Sequence, residues 1–232
     1  RHYTAREYGT RIGIYRLLGV FEKVSAKISV AANSIIVERY PQLIEDIMAA
    51  GHEIIAHSND MNGTIASGMV EVDEQALINA SLGTFETMTG TRPRGWLSIA
   101  QSQSFNTARL LAEAGVEYMC DWVNDELPYV FQTDAGEIIN IPLNHELSDR
   151  QIINVQQQSV DSYAQSMNDA ANWLLSEAET HGGRMLPMHI TPYIMGLPYR
   201  IAAFEQLIAD FADRDGVIFA RGDEILDAWK AR

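Results

Sequence analysis

A lone cysteine, Cys120, leaves the chain without the means to build an internal disulfide framework. Set within an apolar run, that thiol is expected to be buried and inert, and its isolation fits a reducing, cytoplasmic setting. Positive charge is also scarce. Seventeen Lys and Arg stand against 31 Asp and Glu, a formal net charge of −14, so the chain repels phosphate backbones and anionic lipid. Neither nucleic acid nor membrane is an expected partner. No run reaches the roughly 18 to 20 apolar residues of a membrane helix, and RHYTAREYGTR at the start lacks a signal-peptide core.

Several enzyme signatures are missing too. There is no GxSxG elbow, no GxxxxGK[ST] phosphate loop, no GxGxxG and no HExxH. Covalent catalysis by serine or cysteine is therefore disfavoured. The seven prolines and 16 glycines are scattered, which leaves no linker. With 47% hydrophobic residues over 232 positions, a single domain spanning 1–232 is expected. The sequence opens at Arg1 without a methionine, and the expectation is that the domain is incomplete at its N-terminus.

What is present alternates between two periodicities. Ile12, Tyr15, Leu18 and Phe21 recur at helical spacing, and KISVAA (27–32) follows with strand character. Pro41 suits a first helical turn, Leu43, Ile44, Ile47 and Met48 share a face, and Gly51 suits the cap before the strand HEIIAHS (52–58). The cycle repeats: a helix from Asp73 to Gly90, strand GWLSIA (95–100), a short helix at Leu110 and Leu111, and strand VEYMC (116–120). A hairpin over 129–142, turning at Asp134-Ala135-Gly136, is expected at an edge or end of the sheet. Helix 161–179 is the longest, followed by strand RMLPMHI (184–190), helix 198–211, strand GVIFA (216–220) and helix 223–230. Such alternation argues for parallel strands with crossover helices, as a barrel or a doubly wound sheet, whose chemistry gathers at the C-terminal strand ends.

Polar residues fall at those ends. HEIIAHS leads into His57, Ser58, Asn59 and Asp60; GWLSIA carries Ser98; VEYMC leads into Asp121 and Asn124. RMLPMHI delivers His189 and, beyond it, Tyr193, while IPLNHELSD presents Asn144, His145, Glu146 and Asp149. Each has a plainer reading as a satisfied core histidine, a turn cap or a solvated loop residue. His2, His52 and His181 have no acidic or histidine neighbours at ligand spacing and read as structural or solvated.

The segments YGTRIGIYRLL (8–18), ERYPQLIEDIMAAGHEIIAHS (38–58), TGTRPRGWLS (89–98), NTARLLAEAGVEYMCDWVNDELPY (106–129) and LPYRIAAFE (197–205) resemble the polysaccharide deacetylase (NodB-homology) superfamily, and more closely its allantoinase-like, cyclic-amide hydrolase branch. The resemblance implies an α/β fold, a distorted (β/α) barrel of about seven parallel strands, with the first strand missing from this chain. It implies a first motif, an acidic pair closing that strand, upstream of Tyr8. The typical deacetylase holds a divalent metal with an aspartate and an HxxxH pair. His57 matches the first histidine, but Met61 stands at the second position, and a thioether is a poor ligand for zinc. A zinc site, if present, would use His57 with Asp60 or His189.

Carried over residue by residue, Arg92 and Trp96 match the arginine-proline motif, Asp121 the acidic motif that orients the arginine or a neighbouring base, and His189 the general acid. The expected catalytic set is thus His57, His189, Asp121 and Glu146, with Asp60, Arg92, Trp96, Ser98, Asn124, His145 and Tyr193 around the substrate. The expected reaction is hydrolysis of a C–N bond in a linear or cyclic amide, with water activated by a carboxylate of the upstream motif near His57, and with His189 protonating the leaving nitrogen. Asn124 or backbone N–H groups would hold the oxyanion. Metal-dependent deacetylation of N-acetylated sugars and a non-catalytic small-ligand-binding relative are the alternatives. A small-molecule substrate and a homo-oligomeric assembly are expected.

Overall fold

The structure, a computed structural model, describes residues 3–232; His2 lies outside the described residues. In chain order the elements are α1 (Tyr3–Tyr8), a π-helical turn (Gly9–Gly13), α2 (Ile14–Lys23), β1 (Ser29–Ala32), α3 (Ser34–Arg39), α4 (Pro41–Ala49), β2 (Glu53–Ala56) and α5 (Glu71–Thr89). Then come β3 (Gly95–Trp96), α6 (Thr107–Glu113), β4 (Tyr118–Met119), β5 (Tyr129–Thr133) and β6 (Gly136–Asn140). A second π-helical turn (Arg150–Val155), α7 (Val160–His181), α8 (Pro192–Met195), α9 (Ile201–Ala212) and α10 (Gly222–Lys230) complete the chain. Two compact units result. A helical unit takes the chain up to Ala26 together with Leu143–Phe219, and a sheet unit takes Lys27–Pro142 with Ala220–Arg232.

In the sheet unit six strands lie in the order β1-β2-β3-β4-β6-β5. All neighbouring pairs run parallel except β5 with β6. The α/β class with a parallel sheet is therefore as expected, and the 129–142 hairpin occupies an edge. The runs 184–190 and 216–220 do not form the strands expected of them. Pro187 has no N–H to give a ladder, and Ile218 is 87% exposed, which a sheet-core side chain would not be.

The sheet's N-terminal ends are locked by Tyr118. Its ring is wedged against Gly95 and Gly222, where added Cβ atoms would lie 2.2 Å and 2.3 Å from ring or hydroxyl atoms. Its hydroxyl donates to Glu53 Oε1 at 2.6 Å. Glu53 Oε2 accepts from Ser29 Oγ and from the N–H of Asp223 at the start of α10. A buried carboxylate is thus matched by three donors, and α10 is tied beneath the strands. Above them, Trp96, Leu82, Phe85, Leu111, Met119 and Ile138 fill one core.

The helical unit packs α2, α7 and α9 around Leu17, Tyr163, Met167, Phe204 and Ile208. The rings of Phe21 and Phe204 meet edge to face at 5.9 Å. Here too glycine allows backbones to touch. A Cβ on Gly13 would lie 2.2 Å from the Pro192 carbonyl oxygen, and one on Gly9 would lie 2.7 Å from the Tyr193 nitrogen. The Gly9–Gly13 turn therefore seats directly on the 192–196 segment. Arg16 adds a bond to the Gly196 carbonyl at 2.9 Å.

Gly95→Ala should lower stability by at least about 1 to 3 kcal/mol, the usual range for overpacking, because the struck ring is itself pinned. Tyr118→Phe, which removes only one bond to Glu53, should cost less. Urea denaturation of both variants checks the order.

Candidate functional site

The C-terminal ends of β1, β2, β3 and β4 converge on His57. Parallel pairing brings Leu97 beside the end of β2, where its N–H bonds the Ala56 carbonyl at 3.0 Å. The His57 Nδ1 lies 2.5 Å from the Leu97 carbonyl oxygen. A carbonyl only accepts, so Nδ1 carries the proton and Nε2 holds the lone pair. The backbone of His57 is pinned as well: its N–H bonds Ala32 O at 2.9 Å, and its carbonyl accepts from Asn33 Nδ2. Desolvation depresses the His57 pKa, and the Leu97 bond offsets this in part, so the half-buried imidazole is neutral near pH 7.

The next residue stores strain. Ser58 has φ +61° and is buried, with its hydroxyl bonded to the Gly63 carbonyl at 2.8 Å. Ala100 and Gln101, just past β3, also take positive φ. Left-handed conformations in non-glycine residues cluster where function requires a fixed backbone.

Leu97 owes its position to Asp121. The Asp121 carboxylate accepts from Ser98 N–H (2.7 Å), Ser98 Oγ (2.8 Å) and Gln103 Nε2 (2.6 Å). Trp96 Nε1 donates to Ser98 Oγ at 2.9 Å, and Trp122 Nε1 to Gln103 Oε1 at 2.7 Å. Asn140, fully buried, brackets Trp122 through its N–H and carbonyl at 3.1 Å and 2.7 Å. Asp121 is buried, and desolvation outweighs its donors to push its pKa up to about 6.

These contacts redistribute the expected roles. Trp96 is 0% exposed and Ser98 is equally enclosed, so both build the frame instead of lining a ligand surface. Asp121 acts on Ser98 and Gln103, not on an arginine. Arg92 stands before β3, at the strand's other end, bonded to Glu86 (3.0 Å) and the Ala114 carbonyl (3.0 Å). Asp60 caps its own loop, accepting from the N–H groups of Asn62 (2.6 Å) and Gly63 (3.1 Å). Asn124 is exposed in the loop after β4 and accepts from Tyr129 at 2.6 Å. Asn33 and Gln103 were missed by the sequence reading, although Asn33 closes strand β1 and so meets the same strand-end criterion as His57.

In the helical unit His145 and His189 are neighbours, their rings 6.2 Å apart. Asp149 is buried beside them, and Glu146 is exposed with its N–H held by Asn144 at 2.7 Å. Tyr193 is half-buried in α8, against Gly9.

The metal site of typical deacetylases does not fit these residues. His57 Nε2 keeps a lone pair that a metal could use, but Met61 offers a 41% exposed thioether in place of the second histidine, and one Asp60 oxygen is committed to backbone. Among the described residues no three His, Cys, Asp or Glu side chains gather at ligand spacing. Nor, among them, is any helix long and apolar enough to cross a membrane.

No family model matches the chain. Known structures do. PuuE allantoinase superposes with a TM-score of 0.90 at 28% identity, covering 98% of this chain and 75% of that one. A "probable polysaccharide deacetylase" from Pseudomonas aeruginosa PAO1 gives 0.89 at 29% identity, covering 99% and 76%. A peptidoglycan deacetylase of Helicobacter pylori is 22% identical over 257 residues, 97% of this chain and 86% of its own length. A CE4 family pseudoenzyme from Bacillus anthracis shares the fold at 12% identity and TM-score 0.62. The chain thus has the polysaccharide deacetylase fold, with an allantoinase among its structural neighbours.

The Asp121 carboxyl sets a pH test. Its folded pKa lies above the unfolded value near 3.8, so its contribution to stability is fully present below about pH 4 and is lost as pH rises through about 6. Ser98→Ala removes a donor that favours the ionised form. That substitution should therefore cost more at pH 7 than at pH 4, by up to about 1.4 kcal/mol, the worth of the one pKa unit between 6 and 7, read from urea midpoints at both values.

Proposed function

We propose that this chain is a hydrolase of a C–N bond in a linear or cyclic amide, with His57 as the group that takes the proton from attacking water. The observation that carries the reading is the Nδ1 contact of His57 with the Leu97 carbonyl, which leaves Nε2 basic at the end of β2. Water gives its proton to Nε2 as its oxygen bonds the carbonyl carbon. The C–N bond then breaks, and the departing nitrogen takes that proton from His57; proton donation by His189, which the family resemblance implies, is a reading of the helical unit by itself. Desolvation keeps His57 neutral below the ordinary histidine range, so it stays competent as a base in mildly acidic solution. The likeness to an allantoinase structure and to deacetylases supports hydrolysis of an amide linkage in general.

A second reading is removal of an acetyl group from an N-acetylated sugar. It draws on the deacetylase names among the relatives and on two exposed rings in the loops after β3 and β4, Phe105 and Trp122, of the kind that stack on sugars. The bond cleaved is again an amide.

Turnover of hydantoin, succinimide, allantoin and N-acetylchitooligosaccharides, each with and without EDTA, tests the reading. Ring opening that survives chelation supports the first; EDTA-sensitive release of acetate supports the second. His57→Ala should lower kcat by about 10² to 10⁴, the range for a lost general base, and the acid limb of kcat/KM should lie below pH 6.5 in the parent. Unchanged turnover in that variant removes His57 from the chemistry.

A further inference from the structure

His189 sits in a stretch that no ladder holds, since residues 182–191 form neither strand nor helix. Asp149 grips the C-terminal end of that stretch. Asp149 donates its N–H to the His189 carbonyl at 3.2 Å and accepts the Thr191 N–H on Oδ2 at 2.8 Å. It therefore holds the backbone at the imidazole-bearing position and again two residues on. Asp149 is 0% exposed, so its side chain cannot reach a substrate. Whatever it does to a reaction passes through the segment it holds.

Its burial is expensive. Asp149 Oδ1 is enclosed with no hydrogen-bond partner among the described residues, and so is the hydroxyl of Tyr163 on α7, close enough to feel the carboxylate's charge. Desolvation pushes the carboxyl up to about 7, against the pull of the bonds from Thr191 and the Arg150 N–H and of the Arg200 charge. A half-satisfied acid in a core is destabilising, and an unsatisfied group of this kind calls for a reason beyond stability. A backbone carbonyl and an amide on either side of a histidine supply that reason.

We propose that Asp149 is the positioning residue of His189, fixing the imidazole by clamping the 189–191 backbone where sheet pairing does not. The proposal rests on the proton-donor reading of His189, and its test separates the two. In the substrate-free full chain, the imidazole ¹⁵N–¹H resonances of His189, assigned by their loss in His189→Gln, should move in Asp149→Ala. They should return close to their parent positions in Asp149→Asn, which restores a side-chain acceptor for the Thr191 N–H, while the backbone N–H that bonds the His189 carbonyl is present in both variants. With succinimide as substrate, Asp149→Ala should lower kcat at least tenfold with KM within about threefold, and Asp149→Asn should recover most of the loss. Resonances that stay in place in Asp149→Ala overturn the clamp. Moved resonances together with full turnover in His189→Ala leave the clamp standing and remove the proton-donor role. If Asp149→Ala does not fold, hydrogen exchange of the parent decides: a Thr191 amide that exchanges as fast as an exposed one overturns the proposal, and a protected one supports it.

Discussion

The bonds from Ser98 to the Asp121 carboxylate are the contact on which the sheet unit's chemistry rests. They join the end of β3 to the end of β4, and the carbonyl one residue before Ser98 is the one that orients His57. The order of dependence runs through the backbone. A carboxylate fixes an amide, the amide fixes the preceding peptide plane, and that plane decides which imidazole nitrogen carries the proton. Trp96, Gln103, Trp122 and Asn140 close the network around it, so that almost every polar atom at these strand ends has a partner. An enclosed network of this sort holds a single arrangement, because breaking any one bond leaves a desolvated group unpaired.

Buried carboxylates serve four different local purposes in this chain. Glu53 ties α10 to β1 and β4 beneath the sheet; Glu74 accepts from Ser104 and Thr107 and joins α5 to the start of α6. Asp121 frames the His57 end of the sheet, and Asp149 grips the His189 segment. The first three have both oxygens engaged. Only Asp149 has an oxygen left without a partner, and only Asp149 holds a stretch that lacks regular structure. That contrast sets Asp149 apart from the other three.

Much of the architecture was legible from periodicity. Apolar spacing located α2, α4, α5, α6, α7, α9 and α10 but not the short α1, α3 and α8, the strand pattern located β1 and β2, and Asp134-Ala135-Gly136 located the edge hairpin. The misses have a common cause. RMLPMHI and GVIFA have the composition of strands, but a strand exists only through pairing with a neighbour, and composition does not supply the neighbour. Arg92 and Trp96 were placed around a ligand by their match to the arginine-proline motif, and Ser98 because it adjoins a strand end. Two of them instead face inward, and the third lies at the strand's opposite end, distinctions that depend on which face and which end of a short strand each occupies.

By itself the sequence determined that the fold is α/β with parallel strands, and that histidines and carboxylates stand where such strands end. Both follow from local spacing, which the covalent chain imposes wherever it folds. The resemblance to the deacetylase superfamily added the expectation of a second metal-binding histidine at the position where Met61 stands. Only tertiary structure decided that His57 leans on Leu97, that Asp121 serves Ser98, and that Asp149 reaches Thr191 across 42 positions. A hydrogen bond is specified by direction and by tenths of an ångström between segments far apart in sequence, and no local pattern encodes that.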